Sequence, residues 1–347
     1  MPGSAGTVPP AGGTPAPRTA PAPGIGALAA EASGAQAGYG EDALIVCDRL
    51  VRIYKREGIE VQALQGLDLL VEPGELTAVV GASGSGKSTL MNILAGLDTP
   101  TAGMVRVAGY DLGGLSPRQR LIYRRDVVGF VWQQASRNLL PYLTGRQNVM
   151  LPMRLGRAGR RERAARAGSL LDALQVGHCA DRTPGRMSGG ERQRTAIATA
   201  LANRPRVLLA DEPTGDLDTA TAADVLAALT AVNTDLGVTV LVVSHDPAVA
   251  AQAGRTVAIR DGRTSSETFR RAATDEFGNA THHAVEYAVL DRAGRVQLPR
   301  EMMRRLGMRD RVRLEAQPDH IGVWPHTSPG PGPQPPSPPP AGAEQDG

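Results

Sequence analysis

A glycine-rich loop near residue 81 constrains the fold of this chain more than any other feature. Residues 81–89 read GASGSGKST, which fits the phosphate-loop pattern G-x-x-x-x-G-K-[ST]. A short apolar run over residues 76–80 precedes the loop, and residues 88–97 have helical apolar spacing. Strand, glycine loop and helix in this order let backbone amides cradle a phosphate at the helix N-terminus. The sequence therefore predicts an α/β fold built around a nucleoside triphosphate.

Three later strings carry other groups that a triphosphate site needs. MSGGERQR spans residues 187–194, ADEPT spans 210–214 and SHD spans 244–246. The aliphatic runs 207–210 and 238–243 are typical of parallel strands buried under helices on both faces. Because the carboxyl ends of parallel strands meet at one edge of a sheet, these polar groups should converge on the loop. We therefore expect the chain to bind and hydrolyse ATP with Mg²⁺.

The residue types suggest a role for each group. The predicted phosphate-binding residues are Gly81, Ala82, Ser83, Gly84, Ser85, Gly86, Lys87, Ser88 and Thr89. Mg²⁺ is predicted to bind Ser88 and Asp211, because hydroxyl and carboxylate oxygens suit this ion. Glu212 is the expected group that polarises the attacking water.

Three further side chains are assigned to the same site. His245 follows a buried strand and is expected to contact the γ-phosphate and the water. Spacing alone suggests that Gln133 touches Mg²⁺ or the water, and that adenine stacks on Tyr54. Read without the phosphate loop, the acids could simply be solvated and the histidine structural.

Composition divides the chain into five segments. Residues 1–41 and 326–347 are rich in Pro, Ala and Gly and are predicted to be disordered tails. Residues 42–265 form the predicted nucleotide-binding domain, residues 266–283 a linker and residues 284–325 a small β-rich module. The two cysteines, Cys47 and Cys179, are too few for a disulfide or metal framework. We see neither a spanning run nor a secretory signal, and we expect a cytoplasmic protein.

The motifs together resemble the ATP-binding-cassette nucleotide-binding domain. GASGSGKST is similar to its Walker A motif, LLADEP to its Walker B motif and SGGERQR to its signature motif. Tyr54 then falls at the A-loop position, Gln133 in the Q-loop, Asp218 in the D-loop and His245 at the switch histidine. The resemblance implies a mostly parallel core sheet, an antiparallel β subdomain and a helical subdomain.

The same resemblance implies a head-to-tail homodimer. Ser188, Gly189 and Gly190 of one copy would close over ATP held by the other, and Glu191 and Asp218 join them as predicted nucleotide-binding residues. Departures from the family pattern are Met187, Trp132 and Asp216. Since no catalytic group is lost, we expect active sites.

Residues 139–144 and 148–152 resemble the subgroup that serves permeases of the lipoprotein-releasing and macrolide-export type. The resemblance implies a separate membrane permease, an exporter or an FtsX-like system, and a peripheral location on the inner face of the membrane. The apolar residues of this segment could instead be ordinary core.

The C-terminal module resembles the AbrB-like swapped hairpin over residues 290–299, 306–307 and 311–314. Many relatives of that module bind DNA as dimers, and five arginines here could meet phosphates. These are Arg292, Arg295, Arg300, Arg304 and Arg305. The acids Glu286, Asp291, Glu301 and Asp310 interleave with them. We therefore favour dimerisation or regulation and keep a nucleotide-responsive DNA-binding regulator as the alternative.

Overall fold

The computed structural model describes residues 40–56, 58–156, 158–274, 280–291, 294–309, 311–317 and 319–325. The predicted tails, apart from residues 40–41, therefore lie outside the described residues, as do Arg292 and Asp310. All helices and strands below belong to the unit Ala43–Gly347.

Thirteen strands and eight α-helices are present in the part of the chain just defined. The strands are β1 Ile45–Arg56, β2 Ile59–Val71, β3 Leu76–Val80, β4 Ala102–Val107, β5 Tyr110–Asp111, β6 Val128–Val131, β7 Val207–Asp211, β8 Thr239–Val243, β9 Arg255–Arg260, β10 Arg263–Thr274, β11 Ala280–Ala288, β12 Val312–Ala316 and β13 Ile321–Pro325. The helices are α1 Lys87–Leu94, α2 Pro117–Asp126, α3 Gly145–Arg154, α4 Arg160–Ala173, α5 Gly189–Ala200, α6 Thr219–Leu236, α7 Pro247–Gln252 and α8 Arg300–Arg305.

A seven-stranded sheet runs through the centre of the unit in the order β11-β10-β9-β3-β8-β7-β6. The five strands from β9 to β6 are parallel, whereas β10 and β11 are antiparallel. A second, antiparallel sheet has the order β2-β1-β4-β5. The parallel core sheet and the antiparallel β subdomain confirm the predicted fold class.

Alternate residues of the central strands enter two different cores. Leu208 and Ala210 of β7 pack with the helices α4, α5 and α6, whereas Val207 and Leu209 pack with α1 and the antiparallel sheet. Because both faces of β7 are covered, its apolar residues show no polar alternation. The two cores hold the sheet rigidly, and its strand ends form the platform for the polar site.

The predicted linker 266–283 is instead largely regular structure. Strand β10 pairs with β9 from Arg263 to Phe269 and with β11 from Ser266 to Thr274. A fading apolar pattern suggested a linker, but backbone hydrogen bonds hold this hairpin to the central sheet. Arg255 adds an ion pair of 2.8 Å to Glu267 and lies over the ring of Phe269 at 5.4 Å. The predicted boundary at residue 284 falls inside β11.

The C-terminal segment forms a short helix and a small hairpin within the predicted module 284–325. Helix α8 is followed by β12 and β13, which pair from Val312 with Pro325 to Ala316 with Ile321. Among the described residues, no helix combines the length and the apolarity needed to cross a bilayer.

Candidate functional site

The phosphate loop joins β3 to α1 through a conformation that only glycine adopts easily. Gly86 caps α1 with φ 103°, in the left-handed region. A Cβ atom at Gly86 would lie 2.6 Å from the carbonyl oxygen of Ala63 in β2. Side chains other than hydrogen are therefore excluded by both the backbone angle and the neighbouring strand. The loop ends with its amides at the positive end of α1.

Lys87 is the first residue of α1 and points back over the loop. Its ammonium group donates to the carbonyl oxygens of Gly81 at 2.7 Å and Ala82 at 3.0 Å. The residue is 8% exposed and still reaches the cavity above the loop. A buried cation at this point suits a polyanionic ligand.

The two acids lie where β7 and its parallel neighbours end: Asp211 is the last residue of β7 and Glu212 is the next. The Oδ1 atom of Asp211 is buried and has no hydrogen-bond partner. Burial, with a further contribution from the charge of Glu212, raises the pKa of Asp211. The N–H group of Glu212 donates to the carbonyl oxygen of Val243 at 2.8 Å, and its φ of 49° is left-handed. This unusual backbone angle turns Glu212 away from the strand direction.

His245 follows β8 and meets Glu212 in space. Its Nδ1 atom lies 2.6 Å from Oε2 of Glu212, a close contact without hydrogen-bond alignment. The histidine side chain is 70% exposed, whereas that of Glu212 is 18% exposed. The exposed imidazole therefore covers a largely buried carboxylate.

One cavity of about 700 Å³ is lined by the phosphate loop, Lys87, Glu212 and His245 together. It is lined by Tyr54, Val61, Gln62, Ala63, Gly81, Ala82, Ser83, Gly84, Gly86, Lys87, Ser88, Thr89, Glu212 and His245. Residues 61–63 of β2 were missed by the sequence analysis. The signal that could have found them is Tyr54, which pairs directly with Val61 across the β1–β2 ladder.

Tyr54 is held at the rim of this cavity. Its hydroxyl donates to Oδ2 of Asp98 at 2.8 Å, and the Arg52 guanidinium lies 4.6 Å from the ring centroid. Arg52 also forms an ion pair of 2.7 Å with Asp98. The ring is therefore fixed in orientation before any base could stack on it.

Eight predicted site residues do not line the cavity of their own chain: Ser85, Gln133, Ser188, Gly189, Gly190, Glu191, Asp211 and Asp218. Ser85 and Asp211 are each adjacent in sequence to a lining residue. The amide nitrogen of Gln133 is 3.4 Å from Oδ1 of Asp216, so the Q-loop touches the D-loop. Asp218 caps α6 by accepting from the Thr221 N–H group at 3.0 Å.

The signature residues begin α5 with a complete capping box. Glu191 accepts from the Ser188 N–H group at 2.6 Å, and the Ser188 hydroxyl accepts from the Glu191 N–H group at 3.2 Å. The hydrogen bond from Ser188, followed by one from His178, lowers the pKa of Glu191 to about 2. Within α5, Gln193 donates to the carbonyl oxygen of Trp132 at 3.2 Å and so links the helix to the Q-loop.

Comparison of the sequence with known proteins also indicates an ATP-binding cassette. The sequence model of the family described as ABC transporter matches residues 64–215. The lipoprotein-releasing system ATP-binding protein LolD 2 of Caulobacter vibrioides is 44% identical over 221 residues, covering 64% of this chain and 96% of that protein. The macrolide export ATP-binding/permease protein MacB of Syntrophobacter fumaroxidans is 44% identical over 227 residues, covering 65% of this chain. This chain spans only 32% of the length of that MacB protein.

Solved structures agree with these relatives. A dimeric ATP-binding cassette in a post-hydrolysis state, bound to ADP and Pi, is 37% identical with a TM-score of 0.59. The match covers 64% of this chain and 97% of that cassette. The phosphate loop, Glu212 after β7 and His245 after β8 share one cavity here, and nearly the whole of LolD 2 and of the solved cassette is matched. The chain therefore belongs to the ABC transporter family of ATPases, as an ATP-binding cassette.

Proposed function

We propose that this chain is the ATP-hydrolysing subunit of a transporter, and that two copies close around two MgATP molecules to drive a separate membrane permease. The observation that carries the proposal is the single cavity lined by the phosphate loop, Glu212 and His245. LolD 2 and MacB, whose names describe lipoprotein release and macrolide export, support a permease of that type. The cassette would then sit peripherally on the inner face of the membrane.

Two oxygen-bearing residues of this region fit a Mg²⁺ ion. Asp211 offers a buried carboxylate oxygen without a hydrogen-bond partner, and Ser88 lines the cavity. Such hard oxygen ligands are those that Mg²⁺ prefers. We infer that Ser88 and Asp211 would hold the ion, with Gln133 completing its surroundings. When bound, Mg²⁺ would neutralise charge on the β- and γ-phosphates.

Glu212 and His245 have the geometry of a base and its partner. In this proposal Lys87 and the loop amides hold the phosphates, and Glu212 accepts a proton from the attacking water. The Nδ1 atom of His245 stays within 2.6 Å of the Glu212 carboxylate and would orient it towards that water. Tyr54, fixed by Asp98, would stack on the adenine.

A second copy would complete each site. The amides that begin α5 carry the positive end of its dipole, so Ser188, Gly189 and Gly190 suit the γ-phosphate of a neighbouring chain. These residues do not line the cavity of their own chain. The dimeric ADP- and Pi-bound cassette supports this arrangement. Glu191 would keep the capping box intact, and Asp218 would keep α6 capped beside the seam.

Replacing the proposed base tests this function directly. Glu212→Gln should keep ATP binding, lower steady-state hydrolysis by about 100-fold or more, and accumulate a dimer in MgATP. The measurements are ATP turnover and sedimentation with and without MgATP. The matched control is Glu162→Gln on the exposed face of α4, which should turn over normally. Parental turnover by Glu212→Gln would remove Glu212 from the base role.

A surface groove supports the permease partner. It has a volume of about 410 Å³ and is bounded by α2, β6, α3 and α5. Leu121 and Leu155 at this groove are 65% and 72% exposed. An apolar helix of a permease would bury both leucines, and residues 148–152 lie in α3 beside it. We infer that this groove is where the permease docks.

We also propose that the C-terminal segment is an AbrB-like module that joins two copies. A two-stranded hairpin is only marginally stable alone, and Leu290, Leu314 and Ile321 are 69%, 66% and 69% exposed.

The DNA-binding alternative has no support from the relatives or structures described above. Arg295 is also engaged, because its Nε atom donates to Asp291 at 2.7 Å.

A further inference from the structure

Three side chains of different metal-binding chemistry meet beside the first turn of α5. His178 and Cys179 lie in the 3-10 turn Gly177–Cys179, and Glu191 is the third residue of α5. One ligand atom of each residue lies within 4.8 Å of the other two. The distance from Nε2 of His178 to Oε1 of Glu191 is 2.8 Å. Imidazole, thiolate and carboxylate are the three ligand groups that zinc takes from proteins.

The cluster is layered from the core to the surface. Cys179 is fully buried, the Glu191 side chain is 18% exposed and the His178 side chain is 54% exposed. The sulfur therefore forms the floor of the cluster, and the imidazole covers it from the solvent side. Three protein ligands on one side leave the fourth position of a tetrahedron to a water molecule.

One neighbouring cation opposes metal binding. The Nη1 atom of Arg182 lies 3.9 Å from the sulfur of Cys179 and 3.7 Å from Oε1 of Glu191. Its side chain is 48% exposed, so the guanidinium can rotate into solvent when an ion enters. The second oxygen of Glu191 stays with the Ser188 N–H group at 2.6 Å. An ion bound through the first oxygen is therefore compatible with the helix cap.

We propose that His178, Cys179 and Glu191 form a site for one thiophilic divalent cation of the zinc class. The ring proton of neutral His178 then sits on Nδ1, and its Nε2 lone pair, the sulfur of Cys179 and one carboxylate oxygen of Glu191 bind the ion. The Cys179 thiol loses its proton to the solvent as the metal–sulfur bond forms, and no electron changes hands. The ion ties the turn before the signature segment to the first turn of α5.

Cadmium binding to the full, untagged chain without nucleotide or Mg²⁺ tests the site. Cd²⁺ bound to a thiolate absorbs in the ultraviolet, and the chain has only two cysteines. We expect one Cd²⁺ per chain with this band, competition by Zn²⁺, and a rise in the thermal unfolding midpoint on binding. Cys179→Ser should abolish the band. The matched control Cys47→Ser should retain it, because Cys47 is buried among apolar side chains.

Two exposed side chains give variants that are expected to fold normally. His178→Ala should weaken Cd²⁺ binding by about tenfold or more, because it removes a direct ligand. Arg182→Ala should strengthen binding by roughly three- to tenfold, because it removes a positive charge that lies 3.9 Å from the Cys179 sulfur and 3.7 Å from Oε1 of Glu191. Circular dichroism of the metal-free variants checks their fold.

Several outcomes would overturn the site. They are the absence of a thiolate band in the parent chain, a band that persists in Cys179→Ser but vanishes in Cys47→Ser, and unchanged affinity in His178→Ala. None of these measurements uses ATP. Failure here therefore leaves the proposed ATPase function untouched, and failure of the ATPase leaves the metal site standing.

Discussion

At the scale of single residues, Gly86 shows how one backbone angle and one close contact act together. Its φ of 103° is left-handed, and a Cβ atom there would lie 2.6 Å from the Ala63 carbonyl oxygen. Gly74 has a similar φ of 77°, but a Cβ atom there would have no neighbour within 4 Å. Substitutions at these two glycines therefore distinguish the energetic cost of the left-handed backbone angle from the cost of the steric contact.

We expect Gly74→Ala to lower the free energy of unfolding by about 1–2 kcal/mol, the cost of the left-handed angle alone. Gly86→Ala should lower it further, because β2 or α1 must also shift. Urea unfolding midpoints of the two variants measure the difference. Equal decreases in the free energy of unfolding of the two variants would show that the contact with Ala63 adds no destabilisation.

At the scale of one element, the capping box makes α5 sensitive to acid. Hydrogen bonds from Ser188 and His178 lower the pKa of Glu191 from its ordinary 4.5 to about 2. Because the folded pKa is lowered, this stabilisation is present above pH 4.5. It is lost as the pH falls towards 2.

We expect Glu191→Gln to destabilise the chain by about 1 kcal/mol near pH 7, since the charged cap is lost. The difference from the parent chain should shrink as the pH falls below 4.5, where protonation also removes the charge of Glu191. Urea unfolding at several pH values, with Glu162→Gln as the control, measures this effect. A difference that stays constant down to pH 3 would contradict the role of the charge.

At the scale of the whole molecule, two exposed apolar surfaces are proposed to bind partners: the groove beside α3 and the C-terminal hairpin. For the groove beside α3, Leu155→Asp should abolish recovery of a multi-span membrane protein with the cassette from detergent-solubilised cells. Leu236→Asp, on α6 and away from the groove, is the control, because Leu236 is also exposed. Equal recovery with both variants would remove the groove as the docking site.

The C-terminal hairpin gives a separate prediction. If two copies pair through it, Leu314→Lys should weaken self-association without nucleotide, because each buried leucine contributes about 1.5–3 kcal/mol. Sedimentation over a range of protein concentrations measures the change, and Leu236→Lys is the control. The double variant Glu212→Gln with Leu314→Lys should still form the MgATP-dependent dimer, because we propose that dimer to form through the nucleotide sites and not through the hairpin. Unchanged association of Leu314→Lys would exclude this hairpin face.

The sequence by itself determined the local parts of this protein. The phosphate loop, the strand that ends at Asp211 and the cap at Ser188 depend on residues within a few positions of one another. Their motif spacing and apolar periods can therefore be read directly from the sequence. Both cores of the central sheet followed from runs of aliphatic residues, since a strand covered on both faces needs no polar alternation.

Only the tertiary structure decided which distant residues meet. It brought residues 61–63 of β2 to the cavity, turned most of the predicted linker into β10 and β11, and set His178 and Cys179 against Glu191. In each case the contact depends on strand pairing or packing between separate segments of the chain. Local composition carries no trace of such contacts, because their energy arises only after the sheet has formed.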